Sequence, residues 1–325
     1  MKLLFLHRSK SFGGFSFEEL FTTIKKCLID FEITDFYDKE FPSFWKNVKT
    51  VKKINSDIIH ITGGVGYYSL FLPTNKTVLT FHDTNHYEFD LKGIKKWLYG
   101  WIIYKIPAMN VAKITTVSNH TKNNLVRYLN IPEQKIEVIP NCYPLEFKQK
   151  IKEKLNSTPT ILHIGTKPNK NLNRLIEATK GLKVELVVIG KLTDTQLLLL
   201  KNSNINFTNK FNLTREEIYT EYINCDIVAF ISLHEGFGLP IIEANAIGRA
   251  VITSNLSSMP EVAKNAALLV DPYKIEEITA GLIKLIDDDG YRNDLINKGY
   301  QNAQNYTPNS IANKYKNLYQ SLVKL

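Results

Sequence analysis

Cysteine is scarce: the 325 residues contain three, Cys27, Cys142 and Cys225, far apart and without a C-x-x-C spacing. That excludes a disulfide framework and a thiolate zinc site, and it fits a reducing cytoplasm. Long apolar runs are missing too. Leu3 to Leu6 is too short for a signal peptide, and no segment approaches the roughly 20 apolar residues that span a bilayer. Arginine-rich arms, zinc-finger spacings and aromatic RNP-type strands are all lacking. The formal net charge of +9, carried mainly by lysine, therefore reads as compositional bias, and no nucleic-acid partner is expected. No repeat of fixed period occurs. The one Asp-x-Asp spacing, within Asp287-Asp288-Asp289, lies at an apparent helix end and not after a strand, so it makes a poor cation site.

What is present is the composition of a soluble globular chain, 44% hydrophobic and 22% charged, with a length that suits two α/β domains. Short apolar runs alternate with helix-like sequence: Leu3 to His7, Ile58 to Thr62, Val78 to His82, Ile114 to Val117, Thr160 to Ile164, Glu185 to Ile189, Ile227 to Ile231 and Ala250 to Thr253. Strands of this kind predict parallel sheets covered on both faces, twice over. Between the two sets, Ile139-Pro140-Asn141-Cys142-Tyr143-Pro144 and the charged stretch Lys148 to Lys154 read as a linker. The boundary is expected near residue 148, giving domains 1–148 and 149–309. A final helix over about 310–325 carries Ile311, Tyr315, Leu318, Tyr319 and Leu322 on one face.

In open parallel sheets ligands collect at the carboxyl ends of strands, so the loops there are informative. After the strand Ile227 to Ile231 comes His234-Glu235-Gly236-Phe237-Gly238-Leu239-Pro240, with Glu243 in the helix that follows. Glycines free the backbone amides, proline suits a first helical turn, and a helix N-terminus binds anions. Upstream, Ile161-Leu162-His163-Ile164-Gly165-Thr166 leads to Lys170-Asn171-Leu172 and then Leu175-Ile176-Glu177-Ala178. Strand, glycine turn, cation and amphipathic helix form the order expected of a phosphate site.

These segments resemble retaining glycosyltransferase family 4. Glu235 and Glu243 match its two acidic positions, spaced by seven residues, and Gly236-Phe237-Gly238 matches its glycine-phenylalanine-glycine turn. The resemblance implies a GT-B fold: two Rossmann-like domains with parallel sheets facing across a cleft, and a last helix that returns to the first domain. It implies that Glu235 holds hydroxyls of a donor sugar, that Glu243 meets the nucleotide ribose, and that the amides of Phe237, Gly238 and Leu239 meet sugar and phosphates. Gly165, Thr166 and Lys170 fall in the phosphate segment. Many family members carry an arginine where Thr166 stands, which leaves Lys170 as the main cation and Lys167 as a substitute.

The first half is concordant. Gly13-Gly14 resembles the family's glycine loop, which puts Gly14 in the donor site, and His82 in Phe81-His82-Asp83 resembles its histidine near the transferred sugar. The expected activity is retaining transfer from a nucleotide sugar to a glycan or lipid-linked glycan acceptor. No cofactor is expected, and no metal, with helix amides and Lys170 steadying the diphosphate. The other class of function is a non-catalytic sugar-nucleotide or polysaccharide-binding module.

Two imitations fail. Gly64-Val65-Gly66-Tyr67-Tyr68-Ser69 mimics a dinucleotide fingerprint, but the next strand follows too soon for a crossover helix. His82, Asp83 and His86 mimic metal ligands without further partners. Leu91 to Ala112, rich in lysine and aromatics, reads as a buried helix in preference to one lying on an anionic bilayer. The expected location is cytoplasmic, with peripheral association at the inner membrane face as its companion.

Overall fold

The computed structural model describes residues 1–9, 16–39 and 43–323, so Gly13 and Gly14 lie outside the described residues. The chain divides into two units, one made of Met1–Cys142 with Pro308–Leu325 and the other of Tyr143–Thr307.

The first unit is a parallel sheet of β1 (Lys2–His7), β2 (Glu32–Tyr37), β3 (Ile58–Ile61), β4 (Thr77–Phe81), β5 (Lys113–Thr116) and β6 (Ile136–Val138), in the order β2-β1-β3-β4-β5-β6. Its helices up to the second unit are α1 (Ser16–Cys27), α2 (Phe44–Lys53), α3 (Gly93–Tyr99), α4 (Ile106–Met109) and α5 (Asn119–Leu129). Side chains alternate across the sheet, so each strand feeds two cores. Leu4, Leu6, Ile59, Ile61 and Leu79 join one apolar cluster, whereas Leu3, Phe5, Ile58 and Val78 join the other.

The second unit is a parallel sheet of β7 (Thr160–Ile164), β8 (Glu185–Ile189), β9 (Asn206–Lys210), β10 (Ile227–Phe230), β11 (Ala250–Ser254) and β12 (Leu268–Val270), ordered β12-β11-β10-β7-β8-β9. Its helices are α6 (Leu172–Thr179), α7 (Asp194–Asn202), α8 (Arg215–Asn224), α9 (Leu239–Ile247), α10 (Met259–Ala263), α11 (Ile275–Asp287) and α12 (Asp289–Ala303). The acidic run 287–289 is used in capping: Asp288 accepts from the Tyr291 amide at 2.8 Å, and Asp289 pairs with Arg292.

The chain then re-enters the first unit as α13 (Pro308–Val323). Ile311, Tyr315, Leu318 and Tyr319 are buried with Leu3, Phe5, Phe21 and Ile24. The Tyr319 hydroxyl and His60 Nδ1 share a hydrogen bond of 2.6 Å, and His60 Nε2 lies 2.7 Å from the Thr80 hydroxyl. Burial holds the His60 pKa well below its ordinary value, so the imidazole stays neutral in this network.

The two units divide at Cys142 to Tyr143, a few residues before the expected 148, and Phe147 packs with the second unit, its ring centroid 5.1 Å from that of Tyr219 and 5.4 Å from that of Tyr222. One expectation needs correction. The stretch from Leu91 to Ala112 is not a buried helix. It runs as α3, a π-helical turn over Gly100–Lys105, and α4. Only its inner residues, Gly100, Tyr104, Pro107, Ala108 and Val111, are buried. Gly100 lets it approach closely, since a methyl there would sit 2.7 Å from the Tyr87 ring and 2.8 Å from Leu129.

Candidate functional site

The second sheet changes direction between β7 and β10, because β7 leads outward to β8 and β10 leads outward to β11. Loops that part in this way leave a crevice at the carboxyl ends of the two strands. Both sequence motifs of the second half fall there.

After β7, Gly165 takes φ +98°, and a Cβ on it would lie 2.8 Å from Lys170 Cγ. The missing side chain is thus what allows Lys170 to fold over the turn. Asn171, left-handed at φ 63°, fastens the loop by donating to the carbonyls of Ile231 at 3.2 Å and Pro272 at 2.7 Å. Lys170 Nζ donates to Glu235 Oε1 at 2.6 Å and lies 4.9 Å from the Phe230 ring centroid. Phe230 Cε1 is also 3.5 Å from the place a Cβ on Gly238 would occupy. One buried aromatic therefore supports both the cation and the glycine turn.

Gly238, at φ +115°, stands at the N-terminus of α9 with Pro240 in the first turn. The first amides of a helix have no acceptor within it and carry the positive end of its dipole. Glu235 is fixed just before them. Its amide donates to Ser257 Oγ at 3.2 Å, and its carbonyl accepts from Ser257 Oγ at 2.7 Å. Ser258 Oγ lies 2.9 Å from the Glu235 carbonyl and 2.7 Å from that of Phe237, so its single proton is shared between them. Asn169 Nδ2 reaches Glu235 Oε1 at 3.3 Å.

Glu243, one turn along α9, is 7% exposed. Its Oε2 accepts from the Tyr222 hydroxyl at 2.6 Å, and Arg215 Nη1 stands 4.0 Å from its Oε1. Burial first, and then Glu243 itself, raise the Tyr222 pKa well above the ordinary value, so the phenol stays a donor. Lys170, Glu235, Gly165 and the α9 N-terminus thus gather at one place, while Glu243 is held from α8. Thr166 is turned away: its hydroxyl donates to the Lys191 carbonyl at 2.7 Å. Lys167 is exposed.

Sequence reasoning assigned no role to Asn169, Tyr222, Arg215, Ser257 or Ser258. The last two lie after β11, and nothing in a pair of serines announces the positive φ of Ser257, at 58°. Tyr222 and Arg215 lie on a helix with no motif of its own.

In the first unit, His82 follows β4 and is 8% exposed. Its Nε2 lies 2.7 Å from the Thr62 carbonyl. A carbonyl only accepts, so Nε2 carries the proton and Nδ1 the lone pair of a neutral ring. Gly63, at φ +134°, makes this approach possible, since a Cβ would sit 2.7 Å from the His82 ring. His82 and Asp83 line a pocket of about 250 Å³ with Tyr67, Tyr99 and Tyr104. His86 is engaged elsewhere, with Asp90 at 2.8 Å. Among the described residues no three His, Cys, Asp or Glu side chains are gathered as a metal site.

Burial lowers the His82 pKa to about 4, and likewise that of His163, whose Nδ1 donates to the Ala229 carbonyl at 3.0 Å. Both values lie below the ordinary 6.5. Between pH 6.5 and 4 the unfolded chain therefore binds protons that the folded chain does not, and stability should fall as pH falls through that window. The expected loss is about 3 kcal/mol per histidine. Denaturant unfolding at pH 7, 5 and 4 checks this; a midpoint unchanged from pH 7 to pH 4 would exclude neutral buried histidines.

Comparison with known proteins matches both halves. A family model described as Glycosyltransferase Family 4 matches residues 26–147, and one described as Glycosyl transferases group 1 matches residues 146–302. O-antigen chain mannosyltransferase B of Escherichia coli is 25% identical over 284 residues, covering 78% of this chain and 73% of that protein. MMP alpha-(1->4)-mannosyltransferase of Mycolicibacterium hassiacum is 26% identical over 207 residues, covering 60% of this chain and half the length of that protein. Among solved structures, HepE of Anabaena in complex with UDP and glucose superposes with a TM-score of 0.80 at 16% identity, covering 99% of this chain and 100% of that one. The fold is that of GT-B enzymes.

Proposed function

The chain belongs to glycosyltransferase family 4, and from that membership we propose that it moves a hexose from a nucleoside-diphosphate donor to a hydroxyl of a glycan or lipid-linked glycan, retaining the donor's anomeric configuration and using no metal. The observation that carries this reading is the Lys170–Glu235 pair at 2.6 Å, set over Phe230 beside the N-terminus of α9. A cation and a helix N-terminus together suit a diphosphate, and a carboxylate next to them suits sugar hydroxyls. That the relatives above bear mannosyltransferase names supports a hexose.

Lys170 and the amides of Phe237, Gly238 and Leu239 steady the charge that grows on the departing diphosphate. Glu235 positions the sugar. The bond from the anomeric carbon to the diphosphate oxygen breaks, the acceptor oxygen bonds to that carbon on the same face, and the acceptor proton passes to the departing phosphate oxygen. His82, neutral at physiological pH, serves as a hydrogen-bonding group and not as an acid.

Glu243 holds the ribose in this reading, and Tyr222 orients its carboxylate. Replacing Glu243 with Ala should weaken donor binding by roughly tenfold or more, since a hydrogen bond to a charged group is worth about 1.5–3 kcal/mol. Calorimetric titration of the folded variant with nucleotide sugar is the check, and unchanged affinity would remove Glu243 from the site. Release of free nucleoside diphosphate when donor and acceptor are mixed separates a transferase from a module that merely binds sugar nucleotides.

A further inference from the structure

From Leu91 to Pro132 the chain carries seven basic residues and no Asp or Glu, although 32 carboxylates are spread over its 325 residues; of the seven, Lys122 is paired with Glu133 just beyond the stretch, at 2.9 Å. Within that stretch Ile94, Trp97, Leu98, Trp101 and Ile102 recur at steps of three, one, three and one. Such a stripe normally faces a core. Here it faces solvent: the five side chains are 68, 54, 45, 37 and 55% exposed. The opposite side, through Gly100, Tyr104 and Pro107, already supplies the packing to the unit. Lys92 and Lys95 are exposed beside the stripe, and the Lys105 ammonium sits 4.5 Å from the Trp101 ring centroid.

We propose that this face, led by Trp97, Trp101 and Ile102, docks on an anionic lipid bilayer, with Lys92 and Lys95 on the headgroup phosphates. Indole rings settle at the headgroup level, aliphatic side chains enter the acyl boundary, and lysines are drawn to anionic lipid. Charge selects this occupant over the others. A second copy joined symmetrically would crowd the lysines that border this stripe together, cation near cation. No helix among the described residues is long and apolar enough to cross a membrane, so the contact is a surface one. This inference does not depend on the proposed transfer reaction.

The test is co-sedimentation of the full chain with vesicles of phosphatidylglycerol and phosphatidylcholine, against vesicles of phosphatidylcholine alone. Binding should be at least about tenfold tighter to the anionic vesicles and should weaken in high salt. Each lysine contributes about fivefold, so K92E/K95E should lower partitioning by roughly 30-fold or more, and W97A/W101A should lower it as well. All four side chains are on the surface, so melting temperature and transfer to a water-soluble acceptor should stay at wild-type values. Equal binding to both vesicle types, no binding, or variants that partition as wild type does would overturn the proposal. So would a vesicle-free dimer that W97A/W101A dissociates.

Discussion

Replacing Lys170 with Ala should lower kcat/KM by about 10²–10³-fold while the protein keeps its fold, the cost typical of removing one group that meets charge developing in the transition state. Two losses coincide in this variant. The departing diphosphate loses the lysine that the loop after β7 holds beside Glu235; Lys167 on the same loop is exposed and Thr166 is tied to Lys191. Glu235, 15% exposed at its side chain, loses the ammonium that neutralises it at 2.6 Å. A mostly covered carboxylate without its cation is disfavoured, so the loop that carries the sugar contact shifts as well. Steady-state kinetics on K170A, with a melting curve to verify folding, measures the effect. A loss of less than tenfold would mean that the diphosphate is held elsewhere.

Deleting residues 308–325 should unfold the first unit and leave the second able to bind nucleotide sugar. The truncation removes Ile311, Tyr315, Leu318 and Tyr319, all no more than 2% exposed, from the core they share with Leu3, Phe5, Phe21 and Ile24. Loss of a single large core side chain costs about 2–5 kcal/mol, so four together cost about 8–20 kcal/mol, as much as the roughly 5–15 kcal/mol by which a domain is stable. The buried His60 also loses its Tyr319 partner. Transfer should vanish with the first unit. Circular dichroism and calorimetry should show one unit's worth of cooperative unfolding, and donor titration should show affinity retained. A truncated protein that melts with the full wild-type enthalpy and still transfers sugar would show α13 to be dispensable.

The central strands were legible in the sequence because a strand buried on both faces must be apolar along its length. Leu3 to Leu6 and Ile227 to Phe230 are buried throughout. The strands that the apolar runs did not reveal are β2, β6, β9 and β12, and these are the four edges of the two sheets. An edge strand is covered on fewer sides and tolerates polar residues, so Glu32–Tyr37 and Asn206–Lys210 lack the apolar signature. The same logic misplaced the stretch from Leu91 to Ala112: periodicity announces an amphipathic helix but not which face meets the core, and here the larger apolar side chains point outward.

The site was legible where chemistry dictates residue type. Glycines at positive φ, a lysine at a helix entry and two glutamates spaced along a turn and helix leave a pattern in the sequence. What supports them does not. Ser257 and Ser258 grip the backbone around Glu235 from a loop after β11, and Tyr222 reaches Glu243 from α8. Those contacts depend on three-dimensional packing between elements, and any hydroxyl in the right place would serve.

The most direct test of the account is to incubate the protein with a nucleoside-diphosphate hexose and a lipid-linked glycan acceptor in EDTA, and to read the product's anomeric centre by NMR. The account predicts glycosylated acceptor in the donor's anomeric configuration, with one nucleoside diphosphate released per sugar. An inverted product, turnover that stops in EDTA and returns with Mg²⁺ or Mn²⁺, or bound donor without any transfer would contradict it.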